Sequence, residues 1–397
     1  MNFDFPTKFI VEGTVKIMVP ETSQRDHAPS KAAVFYNPVM ALNRDMAVLA
    51  LQVYQRTKGR ELFLCEPLTG CGVRGIRFAK EVEGVKEVVV SDINQKAAEL
   101  AKTNVEINGV TEQVSVLNED ANLLLSRHSG PRERFDFLDV DPFGSPVLYL
   151  DSAVRALRDG GLLALTATDM APLCGVHPRA CIRKYGGRSL RTEYCHELAV
   201  RLLLGCLVTT AAKHDLGIET VFSHRTDHYI RAYAVSHCGA KRADRSIQQM
   251  GFILHCFKCL HRETVQGLFS FPNPKCPDCG SNMTVAGPLW IGKLTDKTFC
   301  SQMKNEIEGR KLEKTQRAIR LLSTVEAEAD SPATYFVTDS ISDMLGLPVP
   351  PLNRVLKELI TAGFQATATH FNSKAVKTNA SAKEIKEIVS KLHCFNR

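Results

Sequence analysis

Asp141, Pro142 and Phe143 follow one another at the end of an apolar run, residues 135–140, that has the pattern of a buried strand. A carboxylate such as that of Asp141 can accept an N–H hydrogen bond from an exocyclic amine of a nucleobase and later take the proton. Phe143 offers a flat face on which a base can stack, a contact worth about 1–3 kcal/mol. Pro142 stiffens the turn between them. These residue types therefore predict chemistry at an exocyclic amine of a nucleobase.

The same three residues resemble the (Asp/Asn/Ser)-Pro-Pro-(Tyr/Phe) motif of amino-methyltransferases, with Phe143 in place of the second proline. This resemblance implies in-line attack of the amine on a sulfonium methyl group, a reaction that depends mainly on positioning and requires no metal. The alternative is that Asp141 only caps a turn. Asp139 faces the same side of the strand, where it is either a structural neighbour or a charge that raises the pKa of Asp141.

A glycine-rich loop follows another apolar run, residues 62–65, and precedes a helix predicted over 73–82. Gly70, Gly72 and Gly75 match the G-x-G-x-x-G pattern of dinucleotide-binding turns. Glycine lets the backbone turn sharply and approach a ligand without a Cβ atom in the way. The loop therefore predicts a nucleotide site, although a tight strand-to-helix turn without a ligand would use the same residues.

Two acidic residues end the strands that follow the glycine loop. Asp92 can accept hydrogen bonds from both ribose hydroxyls of an adenosine, and Asp120 can accept one from the adenine amine. Ligands of open α/β sheets bind at the carboxyl ends of the strands. This pocket fits NAD as well as S-adenosylmethionine. Asp141 and Phe143 favour S-adenosylmethionine, because they would have no role in an NAD-dependent dehydrogenase.

Four of the 13 cysteines form a regular pattern with 16 residues between the two pairs, Cys256-x-x-Cys259 and Cys276-x-x-Cys279. This spacing is typical of a structural zinc site, in which four thiolates close the coordination sphere of the ion. The alternatives are two pairs of free thiols, or a site in which a histidine beside the first pair replaces one cysteine.

Apolar runs alternate with helical patterns from about residue 60 to residue 235. This alternation predicts a Rossmann-like α/β fold, with a mostly parallel sheet covered by helices on both faces. The predicted strands comprise residues 62–65, 88–92, 114–117, 135–140, 162–166, 220–222 and 229–235. The predicted helices comprise residues 73–82, 95–108 and 192–215. The glycine loop and the acidic residues then lie at one edge of the sheet.

The pattern changes after about residue 245, where cysteine pairs, prolines and asparagines replace the alternation of strands and helices. Two domains are therefore predicted. Residues 1–245 form one domain with an N-terminal extension, and residues 246–397 form an α+β domain that contains the zinc knuckle over 256–279. A charged helical segment is predicted over about 301–328.

The last part of the chain predicts a winged-helix-like unit. Short helices over 339–345 and 352–362 are followed by an extended segment that carries Lys374 and Lys377. These lysines would contact the phosphates of a structured RNA, which proteins recognise largely by shape and backbone. A basic stretch over 310–320 could do the same. The alternative is that both are ordinary solvated surfaces.

The composition limits the class of protein. A chain of 397 residues is too long for one compact core and predicts two or three domains. The net charge of +7 fits a nucleic-acid partner but is equally common in enzymes that act on small molecules. Residues 1–6 do not begin a signal peptide, and no apolar run reaches the roughly 18–20 residues that cross a bilayer. A cytoplasmic enzyme is therefore expected, with its remaining cysteines as buried thiols.

Several motifs together resemble one family along nearly the whole chain. They are Phe35-Tyr36-Asn37-Pro38, Ala41-Leu42-Asn43-Arg44-Asp45, Thr69-Gly70-x-Gly72-Val73-Arg74-Gly75, Asp139-Val140-Asp141-Pro142-Phe143-Gly144-Ser145-Pro146, Thr166-Ala167-Thr168-Asp169-x-Ala171-Pro172-Leu173-Cys174-Gly175 and His177-Pro178-Arg179-Ala180-Cys181. In these motifs the chain is similar to the tRNA (guanine-26, N2)-dimethyltransferase family, and most similar to its archaeal members.

The resemblance implies a class I S-adenosylmethionine-dependent methyltransferase fold and methylation of the N2 amine of guanine 26 in tRNA. It implies that Asp141 is the catalytic carboxylate and that Phe35 and Phe143 sandwich the flipped guanine. It also implies a set of contacts with S-adenosylmethionine, made by Arg44, Arg74, Asp92, Asp120 and Ala121 together with the loop glycines Gly70 and Gly72. Arg74 would meet the methionine carboxylate as a charge-assisted pair.

Transfer RNA is then the expected partner, with no membrane and no obligate protein partner, and the protein is expected to be a monomer. Structural zinc is compatible with this family, although some archaeal members lack the four cysteines. Two alternatives stay open. One is a DNA amino-methyltransferase, which the missing second proline disfavours, and the other is a non-catalytic nucleic-acid-binding protein that uses the zinc knuckle and the winged unit.

Overall fold

The computed structural model describes residues 3–21, 32–269 and 273–394. The strands are β1 (Thr7–Glu12), β2 (Val15–Pro20), β3 (Leu62–Glu66), β4 (Val85–Ser91), β5 (Val114–Leu117), β6 (Phe135–Val140), β7 (Leu157–Ala167), β8 (Leu216–Thr226), β9 (Tyr229–Cys238), β10 (Met250–His255), β11 (Arg262–Gln266), β12 (Thr284–Trp290), β13 (Phe336–Val337), β14 (Ala366–Thr369) and β15 (Asn372–Thr378). The helices are α1 (Ala41–Lys58), α2 (Val73–Glu81), α3 (Gln95–Ile107), α4 (Ala121–Arg127), α5 (Leu150–Ala156), α6 (Met170–Leu173), α7 (Pro178–Tyr185), α8 (Cys195–Ala212), α9 (Ala240–Gln248), α10 (Lys297–Asn305), α11 (Thr315–Glu328), α12 (Thr338–Leu345), α13 (Leu352–Thr361) and α14 (Ala382–Cys394). No signal peptide is expected in residues 1–6, and of these Met1 and Asn2 lie outside the described residues.

A seven-stranded sheet in the order β5-β4-β3-β6-β7-β9-β8 forms the centre of the molecule. The five strands from β5 to β7 run parallel, whereas β9 is antiparallel to both of its neighbours. The strand order reverses between β3 and β6, and ligands of such sheets bind at this switch point, beside the carboxyl ends of the strands. The Rossmann-like sheet expected from the sequence is therefore confirmed.

The antiparallel edge of the sheet is longer than predicted. β8 extends beyond residues 220–222 at both ends, and β9 begins at residue 229 as predicted but continues to Cys238, because the two strands pair along their whole length. Gly160 and Gly161 lie inside β7, where the register with β6 shifts. The predicted helices 73–82, 95–108 and 192–215 correspond to α2, α3 and α8.

Two apolar cores cover the two faces of the sheet. Neighbouring residues of a strand point to opposite faces, so Phe137 packs into the core that contains Leu49 of α1, and Leu138 packs into the core that contains Leu203 of α8. Because both faces are covered, the central strands are apolar throughout rather than alternating.

Helix α8 differs from one expectation. By length and composition it is apolar enough to cross a membrane, although the sequence had been expected to contain no such run. The helix contacts β8 and β12, and 72% of it is buried inside the protein. A buried core helix passes the same test of length and hydropathy. The cytoplasmic location stays a prediction.

The charged segment predicted as one helix over 301–328 is two helices, α10 and α11. Gly309 lies in the connection between them with a φ angle of 75°. A residue in the left-handed conformation ends a right-handed helix, and glycine adopts this conformation readily because it has no Cβ atom. Both helices pack against α1, so this part of the chain returns to the N-terminal half of the molecule.

Among the described residues there are three smaller sheets: the N-terminal hairpin of β1 and β2, and two three-stranded sheets in the orders β11-β10-β12 and β13-β15-β14. Helices α12 and α13 begin within one residue of their predicted starts. With the β14–β15 hairpin and α14 they enclose a small core that includes Ile341, Leu359 and Val389. These elements agree with the predicted α+β character, and the designation as a winged-helix-like unit stays a prediction.

Candidate active site

The glycine loop connects β3 to α2 at the switch point of the sheet. Gly70 and Gly72 have φ angles of 57° and 81°, which residues with a Cβ atom rarely adopt. A Cβ atom on Gly70 would lie 2.9 Å from the carbonyl oxygen of Phe35. A Cβ atom on Gly75 would lie 2.4 Å from a methyl group of Val90. The glycines therefore permit a close backbone approach in the loop and close packing of α2 on the sheet.

A cavity of about 450 Å³ opens beside the glycine loop. Its lining includes seven residues assigned to the site from the sequence: Phe35, Arg44, Gly70, Arg74, Asp92, Asp141 and Phe143. Gly72, Asp120 and Ala121, which were also assigned, do not belong to the lining. The structure thus brings together the predicted catalytic residues and most of the predicted cofactor contacts.

Asp92 directly follows β4 and faces the glycine loop. Its carboxylate accepts hydrogen bonds from the backbone N–H groups of Gly70 and Asn94, each 2.9 Å long. Burial raises the pKa of Asp92 above its usual value, and these two N–H groups oppose the rise. Each carboxylate oxygen has a second lone pair. Asp92 can therefore hold the loop and accept hydrogen bonds from ribose hydroxyls at the same time.

Asp120 caps the N-terminus of α4. One of its oxygens accepts hydrogen bonds from the backbone N–H groups of Asn122 and Leu123, at 2.9 and 3.1 Å. Tyr149 lines the cavity close to Asp120 and Asp92. Burial raises the pKa of Tyr149 above its usual value, and the negative charges of these two carboxylates raise it further. Its ring is suited to contact a flat base such as adenine. No motif in the sequence points to Tyr149.

The guanidinium group of Arg74 lies among three carboxylates. Its Nη2 group donates to Oδ2 of Asp141, and its Nη1 group donates to Oδ2 of Asp139 at 3.2 Å. Its Nε atom lies 3.2 Å from Oε1 of Glu66. Only 4% of the Arg74 side chain is exposed, so packing holds this arrangement. Arg74 therefore contacts the predicted catalytic carboxylate directly, a contact that the sequence did not predict.

Asp139 is fully buried in an ion pair with Arg231, which is also fully buried. Nη1 of Arg231 donates to Oδ1 of Asp139 at 3.1 Å, and Nη2 donates to Oδ2. Arg231 also donates to the hydroxyl of Thr166 at 2.6 Å. Asp139 therefore connects Arg231 to Arg74, which makes it a structural neighbour of Asp141, one of the two roles considered from the sequence.

Glu66 ends β3 and is a further residue of the cavity lining. Its carboxylate accepts hydrogen bonds from the Thr69 hydroxyl at 2.7 Å and from the Gly75 backbone at 3.0 Å. Burial raises the pKa of Glu66 to about 7, although Arg74 opposes the rise. Glu66 was not among the predicted residues, and the available signal was its position directly before the glycine loop.

Arg44 is held by Glu12 of the N-terminal hairpin. Nε and Nη2 of Arg44 each donate to one oxygen of Glu12 at 2.6 Å. The Tyr36 hydroxyl donates to the same carboxylate at 3.0 Å. Arg44 lines the cavity as expected, but Glu12 already occupies two of its donors. No local pattern points to Glu12, because it contacts Arg44 only through the fold.

Phe35 and Phe143, the predicted clamp for a base, contact each other. Their ring centroids are 4.4 Å apart and their planes meet at 86°, an edge-to-face arrangement. Phe143 is 66% exposed. A base would fit between the two rings only after they separate, and Phe143, which is more exposed than Phe35, has more room to rotate.

The four cysteines of the predicted zinc knuckle come together between β10 and β12. Their sulfur atoms lie within 4.8 Å of one another. The Sγ–Sγ distances are 3.5 Å for Cys256 with Cys279 and 3.5 Å for Cys259 with Cys276. Two thiolates bound to one zinc ion at about 2.3 Å in a tetrahedron lie about 3.8 Å apart. The donor set and its spacing therefore fit zinc.

Both cysteine pairs have the same backbone geometry. In each, the N–H group of the first cysteine donates to the carbonyl five residues later at 2.8 Å, and its carbonyl accepts from the N–H group four residues later at 2.9 Å. The residues that close these turns, Leu260 and Gly280, have φ angles of 64° and 69°. His255 and His261 do not belong to the cluster, and His261 instead contacts Asp278 at 2.9 Å. This favours four thiolates over a mixed ligand set.

The basic residues predicted to contact phosphates are largely paired within the protein. Lys377 is buried, and its ammonium group lies 3.0 Å from Oε2 of Glu197 in α8. Lys374 is exposed but pairs with Asp339 at 2.6 Å. Arg310 donates to groups of α1 and α2. The prediction that Lys377 contacts phosphate is wrong, because folding buries it against a carboxylate.

Comparison with known proteins agrees with this site. The sequence profile of the family N2,N2-dimethylguanosine tRNA methyltransferase matches residues 13–390. The chain belongs to the N2,N2-dimethylguanosine tRNA methyltransferase family. The resemblance carried by the sequence motifs is confirmed.

Relatives of this methyltransferase family match the chain over nearly its full length. A protein of Methanobrevibacter smithii named tRNA (guanine(26)-N(2))-dimethyltransferase is 40% identical over 393 residues, which are 99% of this chain and 100% of the relative. A protein of the same name from Methanothermobacter thermautotrophicus is 42% identical over 96% of this chain and 98% of its own length. One from Aquifex aeolicus, 35% identical over 97% and 96%, is named tRNA (guanine(26)-N(2)/guanine(27)-N(2))-dimethyltransferase.

A solved structure of the family shows the same fold. Trm1 from Pyrococcus horikoshii, in complex with S-adenosyl-L-methionine, superposes with a TM-score of 0.86 and 34% sequence identity. The match covers 96% of this chain and 99% of that one, so it includes the C-terminal part. The relatives named above bear the names of tRNA methyltransferases, which disfavours both a DNA amino-methyltransferase and a non-catalytic zinc protein.

Proposed function

We propose that this chain transfers methyl groups from S-adenosylmethionine to the N2 amine of guanine 26 in tRNA, giving N2-methylguanosine and then N2,N2-dimethylguanosine. The observation that carries the proposal is that Asp141 and Phe143 share one cavity with the glycine loop. The names of the full-length relatives support the substrate and the position of the guanine.

S-Adenosylmethionine, when bound, supplies an electrophilic methyl group on its sulfur. Asp92 accepts hydrogen bonds from the ribose hydroxyls and Tyr149 contacts the adenine, while Asp120 lies close to Tyr149 but outside the cavity lining. Arg74 and Arg44 provide positive charge in the cavity lining for the methionine carboxylate. Gly70, without a side chain, permits the loop backbone to approach the ligand.

Asp141 receives the guanine amine. The lone pair of this amine is delocalised into the ring, and a carboxylate that accepts its N–H directs the lone pair toward the methyl donor and takes the proton. Arg74 holds Oδ2 of Asp141, which leaves Oδ1 for the substrate. The amine retains one N–H after the first transfer, so the same carboxylate can act in the second.

Phe35 and Phe143 hold the flipped guanine. A base within a stacked stem must leave it to reach Asp141, at a cost of a few kcal/mol. Stacking on an aromatic ring returns about 1–3 kcal/mol per base. Both rings line the cavity that contains Asp141, which supports a base plane held beside the carboxylate.

Residues 1–245 form the methyltransferase domain, and residues 246–397 form the tRNA-binding domain, with the winged-helix-like unit at its end. Zinc bound by the four cysteines stabilises the loops that flank β10 and β12, and four thiolates leave no coordination position for a substrate. Its role is therefore structural. The four sulfur atoms that lie within 4.8 Å of one another support this assignment.

The test is transfer of labelled methyl groups to a tRNA transcript, followed by mass spectrometry of the nucleosides. We expect label at N2 of guanine 26 and none at position 26 when that guanine is replaced by adenine. Asp141→Asn preserves the shape of the side chain but not its basicity, and should slow transfer by about 10²- to 10⁴-fold. Undiminished transfer by Asp141→Asn, or no transfer by the wild type, would refute the proposal.

A further inference from the structure

A cluster of arginines lies in the segment that follows α6. Its members are all exposed, and no ion pair with an acidic side chain is found for any of them within the described ranges: Arg179, Arg183, Arg188 and Arg191. We call this cluster the α7 basic surface. It contrasts with Lys377, Lys374 and Arg310, whose charges the protein itself satisfies.

The α7 basic surface is held beside the turn that follows β6. The Tyr185 hydroxyl of α7 donates to Asp169 at 2.5 Å and also interacts with Ser145 in that turn. At the other end of the surface, Arg188 and Gly287 of β12 exchange two backbone hydrogen bonds of 2.9 Å. Asp169 directly follows Thr168 of the cavity lining, so α7 lies beside the cavity, and the segment after α7 reaches β12 in the C-terminal half of the chain.

Little negative charge opposes these arginines. Asp169 is the only acidic residue of the sequence between positions 168 and 191, and it pairs with Lys184 at 3.1 Å. Arg179 and Arg183 are four residues apart in α7, so they lie on the same face of the helix. The exposed side chain of Ile182 lies next to them and offers an apolar contact.

We propose that the α7 basic surface binds the sugar-phosphate backbone of tRNA next to the flipped guanine. The inference rests on the proposed function, since it concerns the same substrate. Arginine forks match phosphate oxygens in geometry and charge, and contacts with phosphates set the register of a protein on a nucleic acid. A surface that adjoins the cavity mouth can therefore place one nucleotide of the strand at Asp141.

The test compares the double variant Arg179→Ala/Arg183→Ala with Lys241→Ala/Arg245→Ala. The control pair lies on α9, with the same spacing, exposure and loss of charge. Helix α9 follows the carboxyl end of β9. Because β9 is antiparallel to β7, this end lies on the side of the sheet away from the carboxyl ends of the parallel strands, where the cavity is. Binding of a tRNA transcript is measured at several salt concentrations, with S-adenosylmethionine binding and thermal unfolding measured alongside.

We expect the arginine variant to raise the Kd for tRNA on the order of tenfold and to reduce the slope of log Kd against log salt by about 1.4–1.8, the loss of two phosphate contacts. Affinity for S-adenosylmethionine and thermal unfolding should be unchanged. A wild-type Kd and slope, or an equal change in the α9 control, would overturn the inference. Absence of methyl transfer by the wild type would instead overturn the proposed function.

Discussion

The Nη2 group of Arg74 donates a hydrogen bond directly to Oδ2 of Asp141. The contact joins α2, which follows the glycine loop, to the carboxylate proposed to receive the guanine amine. A methionine carboxylate that reaches Arg74 competes for the same guanidinium group. If the methyl donor binds Arg74 as proposed, its binding and the position of Asp141 are coupled through one side chain.

The coupling predicts that Arg74→Lys and Asp141→Asn have less than additive effects on methyl transfer, because each weakens the same charge-assisted pair of guanidinium and carboxylate. Lysine keeps the charge of Arg74 but not its planar fork. Single-turnover rates of the two single variants and the double variant, at saturating S-adenosylmethionine, measure the coupling. Fully additive losses would show that the two residues act independently.

Asp139→Asn should lower both stability and activity. It removes the negative charge that compensates buried Arg231, and loss of one partner of a buried ion pair costs about 3–5 kcal/mol. Asp136→Asn is a matched control, because Asp136 is also buried and paired, but its partners are Arg60 and Arg158 rather than Arg74. Urea unfolding measures the loss of stability, and the rate of methyl transfer per folded molecule measures the loss of activity. Equal rates in the two variants would contradict a role for Asp139 in positioning Arg74.

The raised pKa of Glu66 predicts that stability declines with rising pH. Burial raises this pKa to about 7 in the folded protein, against about 4.3 in an unfolded chain. Between these values the folded state binds more protons than the unfolded state, so the free energy of unfolding falls as pH rises. Glu66→Gln does not titrate and should lose this decline. The measurement is urea unfolding of the wild type and of Glu66→Gln at pH 5 and pH 7.5. The same change in the free energy of unfolding in both proteins would refute the prediction.

Lys377→Gln should destabilise the protein by about 3–5 kcal/mol, because it leaves the buried carboxylate of Glu197 with one compensating partner fewer. Lys374→Gln in the same strand is the control, since its exposed pair with Asp339 is worth about 0–1 kcal/mol. Thermal or urea unfolding distinguishes the two. If the two variants lose similar amounts of stability, the ion pair of Lys377 with Glu197 does not stabilise the packing of the C-terminal unit on α8.

Removal of the metal should loosen the sheet of β10, β11 and β12. We expect the purified protein to contain about one equivalent of zinc and Cys276→Ser to lose it. Amide hydrogen exchange in β10 and β12 should then become faster. Cys238→Ser, which changes an exposed thiol outside the cluster, should keep its metal and its protection. Zinc content unchanged in Cys276→Ser would argue against the site.

The features that could be predicted from the sequence depend on neighbours along the chain. Gly70 and Gly72 are recognisable because a tight turn needs glycine at fixed spacing. Asp92 and Asp141 are recognisable because parallel strands end at one edge of the sheet, so their positions after apolar runs suffice to bring them together. The paired cysteines likewise encode their turns locally.

Only the tertiary structure decided which charges are paired. Glu12 meets Arg44 across 32 residues, and Asp139 meets Arg231 across 92, so no local pattern reveals either partner. A charge buried without a partner destabilises the folded state, so buried charges are paired with groups that the fold brings close in space, whatever their separation along the chain. For the same reason Lys377, in a basic stretch suited to phosphate, is buried against Glu197, while the arginines around α7 stay exposed.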